Sequence, residues 1–424
     1  MAANEEDREM LQDIVNNSKL SEGYLALARD VEVMEPKSPA YIYKEHLFDG
    51  RRLAGASVDS AKQNLAVTFV NAFVNAGFGQ DNLMTVTSDS SSSAEKCIFK
   101  NKEYGKTSAV ASLGMILLWD IDSGLAQLDK YLNSNDSHVI AGALLGVGIV
   151  NCSIKNDCDP AMALLGDYLD EKDTSIRISA IMGLGIAYAG SQNKQLRDKL
   201  VPILSDSTAS LDVIAFTTIS LGLICVSSCN EEVAQAIISS LKNRSESELE
   251  NPLTRLLPLG LGLLFLGKSV LELLKYLELE RMPEGFAVLG IAMIAMAEEI
   301  GLEMQFRTME QFLQFGEQNT RRAVPLALGL LCISNPKVNV IDTLSRLSHD
   351  TDSEVAMAAV ISLGMIGAGT NNGRIARILF DLSSYYCRDA SLLFCVRIAQ
   401  GLLHLGKGLL TLNPYHSDRV LLSP

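Results

Sequence analysis

Residues 262–269 read GLLFLGKS and have the residue types of a phosphate-binding loop. The segment matches the pattern G-x-x-x-x-G-K-[ST], in which the lysine, here Lys268, meets a nucleotide phosphate and the hydroxyl, here Ser269, binds Mg²⁺. The four intervening residues are Leu, Leu, Phe and Leu, which suit a buried helix better than an open loop of N–H donors. The same register recurs as GLLHLGKG at residues 401–408. The sequence therefore favours a structural helix over a nucleotide site.

Cysteine and histidine offer little metal-binding chemistry. Cys225 with Cys229 and Cys152 with Cys158 are the closest pairs, and the five histidines are scattered singly. Zinc sites need four convergent ligands, and free cysteine is among the most buried residue types. We expect reduced, structural thiols and no metal. Because no nucleophile elbow, HExxH motif or Cys–His pairing is found either, the chain is predicted not to be an enzyme and to need no cofactor.

Acidic residues outnumber basic ones by 50 to 36, which gives a net charge of −14. This balance disfavours nucleic acid and anionic membranes as partners. The most apolar windows fall short of the ~20 consecutive apolar residues that a membrane-spanning helix needs. The acidic, polar start differs from a secretory leader, which has a basic and then an apolar segment. We therefore expect a protein of the cytoplasm and nucleus.

The elements that position these residues follow a repeat. Apolar segments reach a glycine in nearly the same local setting at intervals of 34 to 40 residues, apart from one interval of 28. A period in this range is typical of stacked helix pairs, because one pair cannot bury its own apolar face. The nine anchor glycines are Gly114, Gly148, Gly185, Gly222, Gly262, Gly290, Gly329, Gly364 and Gly401.

Two kinds of helix alternate along this array. The glycine- and alanine-rich helices are apolar all round and belong to an inner layer, whereas amphipathic helices, such as those predicted at 193–204, 231–242 and 303–315, belong outside. The predicted fold is all-α, an α-solenoid or toroid of about nine helix pairs. Its predicted parts are an N-terminal helical lead-in at 1–60, the toroid at 61–408 with a Ser-rich loop at 85–94, and a C-terminal tail at 409–424.

The chain resembles the proteasome/cyclosome repeat family through its period and through the strings AVLGIAMIAMAEEIG, RRAVPLALGLL, SLGMIGAGTNN, RIAQGLLHLGKG and NPYHSDR. The resemblance implies a toroid of concentric helix rings without catalytic activity. It also implies departures from the family pattern. The chain is shortened at both ends, and between about residues 279 and 285 it lacks one repeat and a charged insertion. This absence matches the 28-residue interval, and it leaves open whether the ring closes.

The resemblance further implies docking surfaces on outer helices. The ubiquitin-docking helices correspond to residues 193–204, 231–243 and 269–279, and the acidic contact positions of the middle helix correspond to Glu232, Ser239 and Asn243. Because only Glu232 keeps a carboxylate, we expect weakened affinity for the basic rim of the apolar patch of ubiquitin. A surface for a deubiquitinase corresponds to residues 122–131, with Asp122 and Asp129 as its candidates.

Taken residue by residue, the glutamates at 231, 232, 246, 248 and 250 favour a solvated helix face, and those at 231 and 232 also suit a helix start after Asn230. With the resemblance, the expected function is a scaffold of the proteasome base beside the ATPase subunits. It docks ubiquitin, ubiquitin-like domains of shuttle receptors and a deubiquitinase. The main alternative is a stand-alone helical-repeat adaptor that no longer assembles into the proteasome. The remaining one is a nucleotide-binding enzyme that uses Lys268.

Overall fold

The computed structural model describes residues 5–44, 60–85, 98, 100–156, 158–206, 208–245, 248, 251–267, 284–296 and 299–415. Within them the chain is all-helical, as predicted. The lead-in contains α1 (Glu5–Asn16), α2 (Leu20–Asp30) and α3 (Pro39–Tyr43). The predicted Ser-rich loop lies outside the described residues apart from Thr85, as do residues 416–424 of the tail.

The predicted inner layer is a series of helices that each contact the next one along the chain. Every anchor glycine lies in one of them, and α4, which has no anchor glycine, begins the series. The inner helices are α4 (Ser60–Val74), α5 (Tyr104–Ile116), α7 (Ser137–Val150), α9 (Thr174–Ala187), α11 (Leu211–Ile224), α13 (Leu256–Leu264), α14 (Glu284–Ala295), α16 (Gln318–Leu331), α18 (Ser353–Ile366) and α20 (Ala390–Leu403).

The outer layer covers one side of this series. Its helices bury one face and expose the other; in α12, for example, Val233, Ile237 and Leu241 are buried while Glu232 and Ser239 are exposed. The described outer helices are α6 (Ile121–Leu132), α8 (Pro160–Leu165, extended by a 3₁₀ turn at Gly166–Asp170), α10 (Lys194–Ser205), α12 (Glu231–Lys242), α15 (Glu299–Phe315), α17 (Val338–Leu347) and α19 (Gly373–Tyr385).

Small residues let the inner helices touch backbone to backbone. A Cβ placed on Gly114 of α5 would lie 2.7 Å from the Gly146 carbonyl oxygen of α7, and one on Gly364 of α18 would lie 2.7 Å from the Ala399 Cα of α20. Real Cβ atoms do not approach backbone this closely, so no larger residue fits without separating the helices. The period in the sequence is therefore a period of interhelical contacts.

Backbone hydrogen bonds join the same neighbours at their carboxyl ends. After α9 the chain turns through Gly190 and Gln192, both with positive φ, and their N–H groups donate to the Leu223 and Ile224 carbonyls at the end of α11, at 2.8 and 3.0 Å. Gly369 and Asn371 donate in the same way to the end of α20. These bonds satisfy carbonyl groups that a helix end leaves without a partner inside the helix.

The ring of inner helices closes, because α20 contacts α4. A Cβ on Gly401 would lie 3.0 Å from Val70 Cγ2, the Phe69 and Phe394 rings meet edge to face, and Lys62 Nζ donates to Ser391 Oγ at 2.8 Å. The question left open by the 28-residue interval thus has an answer in the structure: α13 and α14 also contact each other across that interval, and the array forms a toroid.

The lead-in spans the seam between the last and first inner helices. Tyr24 Oη donates to the carbonyl of Ala76 after α4 at 3.2 Å and lies 3.4 Å from the carbonyl oxygen of Gly406 after α20. From the other side, Lys407 Nζ donates to the carbonyls of Val33 and Met34, both at 3.0 Å. Residues near the two ends of the array thus hold each other in place.

We predict that Gly114→Ala destabilises the toroid, because its methyl group would meet Gly146 backbone that cannot move aside cheaply. Overpacking of this kind costs about 1–3 kcal/mol. Gly290→Ala is the matched control, since within the described residues nothing lies within 4 Å of its added Cβ and alanine favours the helix by about 1 kcal/mol. Urea unfolding of both variants checks this; equal stability losses would contradict the role given to the anchor glycine.

A second prediction concerns Asp352, the N-cap of α18. Arg322 Nε at 2.8 Å and Gln318 Nε2 at 3.2 Å, both from α16, donate to its carboxylate, and these bonds lower the pKa of Asp352 to about 2. A carboxyl group with a folded-state pKa below its unfolded value stabilises the fold above the unfolded pKa. This contribution is lost as pH falls from about 4 to about 2.

The measurement is thermal unfolding from pH 7 to pH 2. We expect Asp352→Asn, which keeps an N-cap acceptor but removes the charge, to lower Tm at pH 7 and to differ less from the unmodified chain at pH 2. Asp170→Asn, at an exposed carboxylate, is the control. A Tm difference for Asp352→Asn that does not change with pH would rule out the charge as its cause.

Candidate protein-docking surface

The outer helices α10 and α12 lie side by side and carry the predicted ubiquitin-docking residues. Asn193 caps α10 by accepting from Leu196 N at 3.2 Å, and Asn230 caps α12 by accepting from Val233 N at 3.1 Å. The capping role expected for the residue before Glu231 is thus present. Both helices start within one residue of the predicted positions.

Glu232, Ser239 and Asn243 all lie on the exposed face of α12. Positions i, i+7 and i+11 of an α-helix share one face, and Gln235, also exposed, lies between the first two. The structure therefore brings the three predicted residues into one line about 16 Å long, at 1.5 Å per residue. The third predicted docking helix, residues 269–279, lies outside the described residues, as do Glu246 and Glu250.

Arg197 of α10 changes the electrostatics of this line. Its Nη2 lies 3.6 Å from Glu232 Oε2 and 3.3 Å from Asp198 Oδ1. Only 17% of the Arg197 side chain is exposed, against 63% for Glu232. The single carboxylate of the predicted contact positions is therefore partly neutralised by a cation of the preceding repeat. Sequence reasoning missed Arg197, because its partner is 35 residues away and no local motif links them.

The predicted deubiquitinase surface lies on α6. Asp122 and Asp129 are exposed and, at i and i+7, share a face with Asn133, whose Nδ2 donates to the Asp129 carbonyl at 3.2 Å. Asp120 caps this helix by accepting from Ser123 N at 3.2 Å. The two candidate aspartates thus stand on one solvent-facing side of an outer helix, separate from the α10–α12 pair.

The phosphate-loop pattern does not form a loop of free N–H donors where the structure describes it. Gly262 and Leu264 are helical, and the N–H groups of Phe265 and Leu266 donate to the carbonyls of Leu261 and Leu263. Leu264, Phe265 and Leu266 are buried, in agreement with the structural interpretation. Lys268 and Ser269 lie outside the described residues.

The described cysteines are free thiols, and burial raises the pKa of Cys225 and raises that of Cys332 to about 11. A raised pKa disfavours the thiolate that metal binding and nucleophilic attack require. Among the residues that the structure describes, no group of three or more His, Cys, Asp or Glu side chains is placed to hold a metal ion. In that same part of the chain, no helix is both long and apolar enough to cross a membrane.

A closed ring of inner helices covered by amphipathic outer helices defines a helical-repeat protein of the α-solenoid class. Comparison with known proteins narrows this class. Residues 179–213, which include most of α9 and all of α10, match the model of the proteasome/cyclosome repeat, and residues 1–48 match that of the RPN1 N-terminal domain.

The similarity of this chain to known proteins extends along its whole length. It is 66% identical over 467 aligned residues to 26S proteasome non-ATPase regulatory subunit 2 homolog A of Arabidopsis thaliana, with 100% of this chain and 52% of that protein covered. The 26S proteasome non-ATPase regulatory subunit 2 of Dictyostelium discoideum is 45% identical, with 98% and 50% covered. The 26S proteasome regulatory subunit rpn1 of Schizosaccharomyces pombe is 46% identical, with 98% and 51% covered.

The chain belongs to the proteasome/cyclosome repeat family and is a homologue of 26S proteasome non-ATPase regulatory subunit 2. It spans about half the length of the curated relatives it matches. The alignment with the Arabidopsis relative is longer than the 424 residues of this chain, so that relative has residues without a counterpart here. The Arabidopsis and Dictyostelium relatives are named as non-ATPase subunits, in agreement with the prediction that the chain is not an enzyme.

Proposed function

We propose that the chain is a non-catalytic scaffold of the 26S proteasome regulatory particle that docks ubiquitin or ubiquitin-like domains on α10 and α12, beside the ATPase subunits of the base. The observation that carries this proposal is the line of exposed residues on α12, presented by a closed ring. The names of the relatives support the assembly. A toroid holds its outer helices rigidly, and a rigid surface loses little entropy when it binds.

The proposed partners on the two outer surfaces differ. Ubiquitin and the ubiquitin-like domains of shuttle receptors belong to α12, and a deubiquitinase belongs to the face of α6 that carries Asp122 and Asp129. Such a scaffold works where proteasomes work, in the cytoplasm and nucleus. Nucleic acid and membranes are not among the proposed partners, because the chain carries a net charge of −14.

Affinity purification of the tagged chain from its own cells tests the assembly. We expect proteasome ATPase subunits and ubiquitin conjugates to be recovered with it. Soluble, folded chain recovered with neither partner would support the alternative, a stand-alone adaptor that has left the proteasome.

Binding of purified ubiquitin tests the surface itself. We expect Glu232→Arg to weaken binding by about tenfold, or about 1.4 kcal/mol, because it places a cation against the basic rim of the ubiquitin patch. Glu231→Arg is the matched control, since it makes the same charge change about 100° around the helix, off the line of Glu232 and Ser239. Isothermal titration calorimetry measures both.

Arg197→Gln probes the same surface in the opposite direction. Loss of the Arg197 cation leaves the Glu232 carboxylate without its partner in α10, and we expect tighter binding of ubiquitin. Equal affinities of the Glu231→Arg and Glu232→Arg variants, together with no effect of Arg197→Gln, would remove α12 from the docking surface.

A further inference from the structure

A cavity of about 510 Å³ lies at the seam of the ring, between the lead-in and the last repeat. On one side lie Lys37, which precedes α3, Tyr41 of α3 and Lys44, which follows α3 directly. On the other side lie His404 and Lys407, which follow α20. Within the described residues no carboxylate lines the cavity. Four side chains able to carry positive charge thus converge in a protein whose net charge is −14.

The positive charges in this cavity are only weakly balanced. Lys407 Nζ is held by the carbonyl oxygens of Val33 and Met34 and lies 3.4 Å from the centre of the Phe78 ring, so these contacts offer it dipoles and a π-face. Lys37 pairs with Glu35 at 3.0 Å, but the Glu35 side chain is 80% exposed, and exposed ion pairs contribute little. The geometry therefore leaves a site that favours an anion.

Electrostatics agree with this geometry. Burial lowers the pKa of Lys407 to about 8, with Lys37 adding to the shift and Glu35 opposing it. Burial also lowers the pKa of His404, and Lys44 adds to that shift. The lysines of the lead-in thus act on the groups of the last repeat across the cavity. An anion placed between them would offset this mutual repulsion.

The other walls of the cavity are apolar. Val33, Ile42 and Val74 line it, and the exposed Tyr41 ring stands at its edge. Asn371 Nδ2 donates to the Lys407 carbonyl at 3.2 Å, so its Oδ1 is the acceptor that lies 2.6 Å from His404 Nδ1. This network fixes the imidazole beside the lysines. Ligand sites in proteins combine apolar walls with a few placed polar groups in the same way.

We propose that the seam cavity binds a small organic phosphate, with its phosphate groups against Lys37, Lys44 and Lys407 and its organic body against the apolar wall and Tyr41. Lysine is a common phosphate ligand that acts as a point charge. The volume falls in the range of about 300–1,000 Å³ that small-molecule sites occupy. The lining residues belong to none of the proposed docking helices, so this proposal is tested separately from the docking function.

Such a ligand would also be linked to the closure of the ring. It would contact both the lead-in and the segment after α20, which the seam holds together through Tyr24 and Lys407. A ligand that binds only the folded state stabilises it in proportion to the logarithm of its concentration above Kd. Binding at the seam should therefore raise the Tm of the toroid.

The test uses Mg²⁺-free ATP, tripolyphosphate, adenosine and an octaglutamate peptide as probes, at constant ionic strength, with calorimetry and thermal unfolding as readouts. We expect ATP to bind, to raise Tm and to bind more tightly than tripolyphosphate, and adenosine to bind least. Lys44→Glu should weaken ATP binding at least tenfold. Lys199→Glu, the same change at an exposed lysine of α10, should leave it within twofold.

Lys407 is unsuitable as the test position, because it also holds the lead-in. Lys44 is exposed, and an unchanged Tm of Lys44→Glu without ligand shows that the variant folds. Absence of binding by ATP at millimolar concentration, or equal losses in the Lys44 and Lys199 variants, would overturn the proposal. Equal affinities for ATP and tripolyphosphate would show that the organic part of the ligand does not contribute to binding. Tightest binding of octaglutamate would show that the cavity binds an acidic peptide and not an organic phosphate.

Discussion

Direct contact between the backbones of neighbouring inner helices is the constraint on which the rest of this structure depends. Each such contact needs a residue without a side chain, or with a very small one, facing the next helix; Gly222 of α11 faces Gly260 of α13, and Gly185 of α9 faces Ser220 of α11. Because the contact recurs at nearly constant spacing, every helix is displaced from its neighbour in a similar way and the series curves into a ring. The outer helices cover this ring with one buried face each and keep the other face exposed.

The inner layer could be predicted because its signal is local and repeated. Glycine within an apolar helix marks each inner helix, and an added Cβ would crowd the neighbouring helix at all anchors except two. The added Cβ of Gly262 meets the Met293 sulfur at 3.2 Å and backbone only at 3.5 Å, and that of Gly290 meets nothing within 4 Å among the described residues. The sequence carries a second periodic signal for the inner helices, because aspartate is the N-cap of four of them: Asp136, Asp173, Asp352 and Asp389. Closure of the ring could not be predicted, because it depends on contacts such as Tyr24–Gly406, which join residues 382 positions apart.

The proposed docking surface could also be predicted only in part from the sequence. Helical periodicity places Glu232, Ser239 and Asn243 on one face, and this part of the prediction needs only the helix and its start at Asn230. The charge of that face depends on Arg197, which reaches it from the neighbouring repeat. In a toroid, charged residues of neighbouring outer helices contribute to the electrostatic environment of each outer helix. A docking residue carried over by resemblance is therefore incomplete until the adjacent repeat is known.

The two copies of the G-x-x-x-x-G-K pattern show how position in the ring decides what a motif does. Both begin within an inner helix, and in both the glycine before the lysine has positive φ, Gly267 in one and Gly406 in the other. In the second copy Lys407 follows the helix end at the seam, where carbonyls of the lead-in accept from it and where Lys37 and Lys44 line the same cavity. A repeat sequence supplies the same turn at many places around the toroid. At the seam the lysine that follows this turn donates to the lead-in, a segment outside the ring of inner helices, and so joins two parts of the chain.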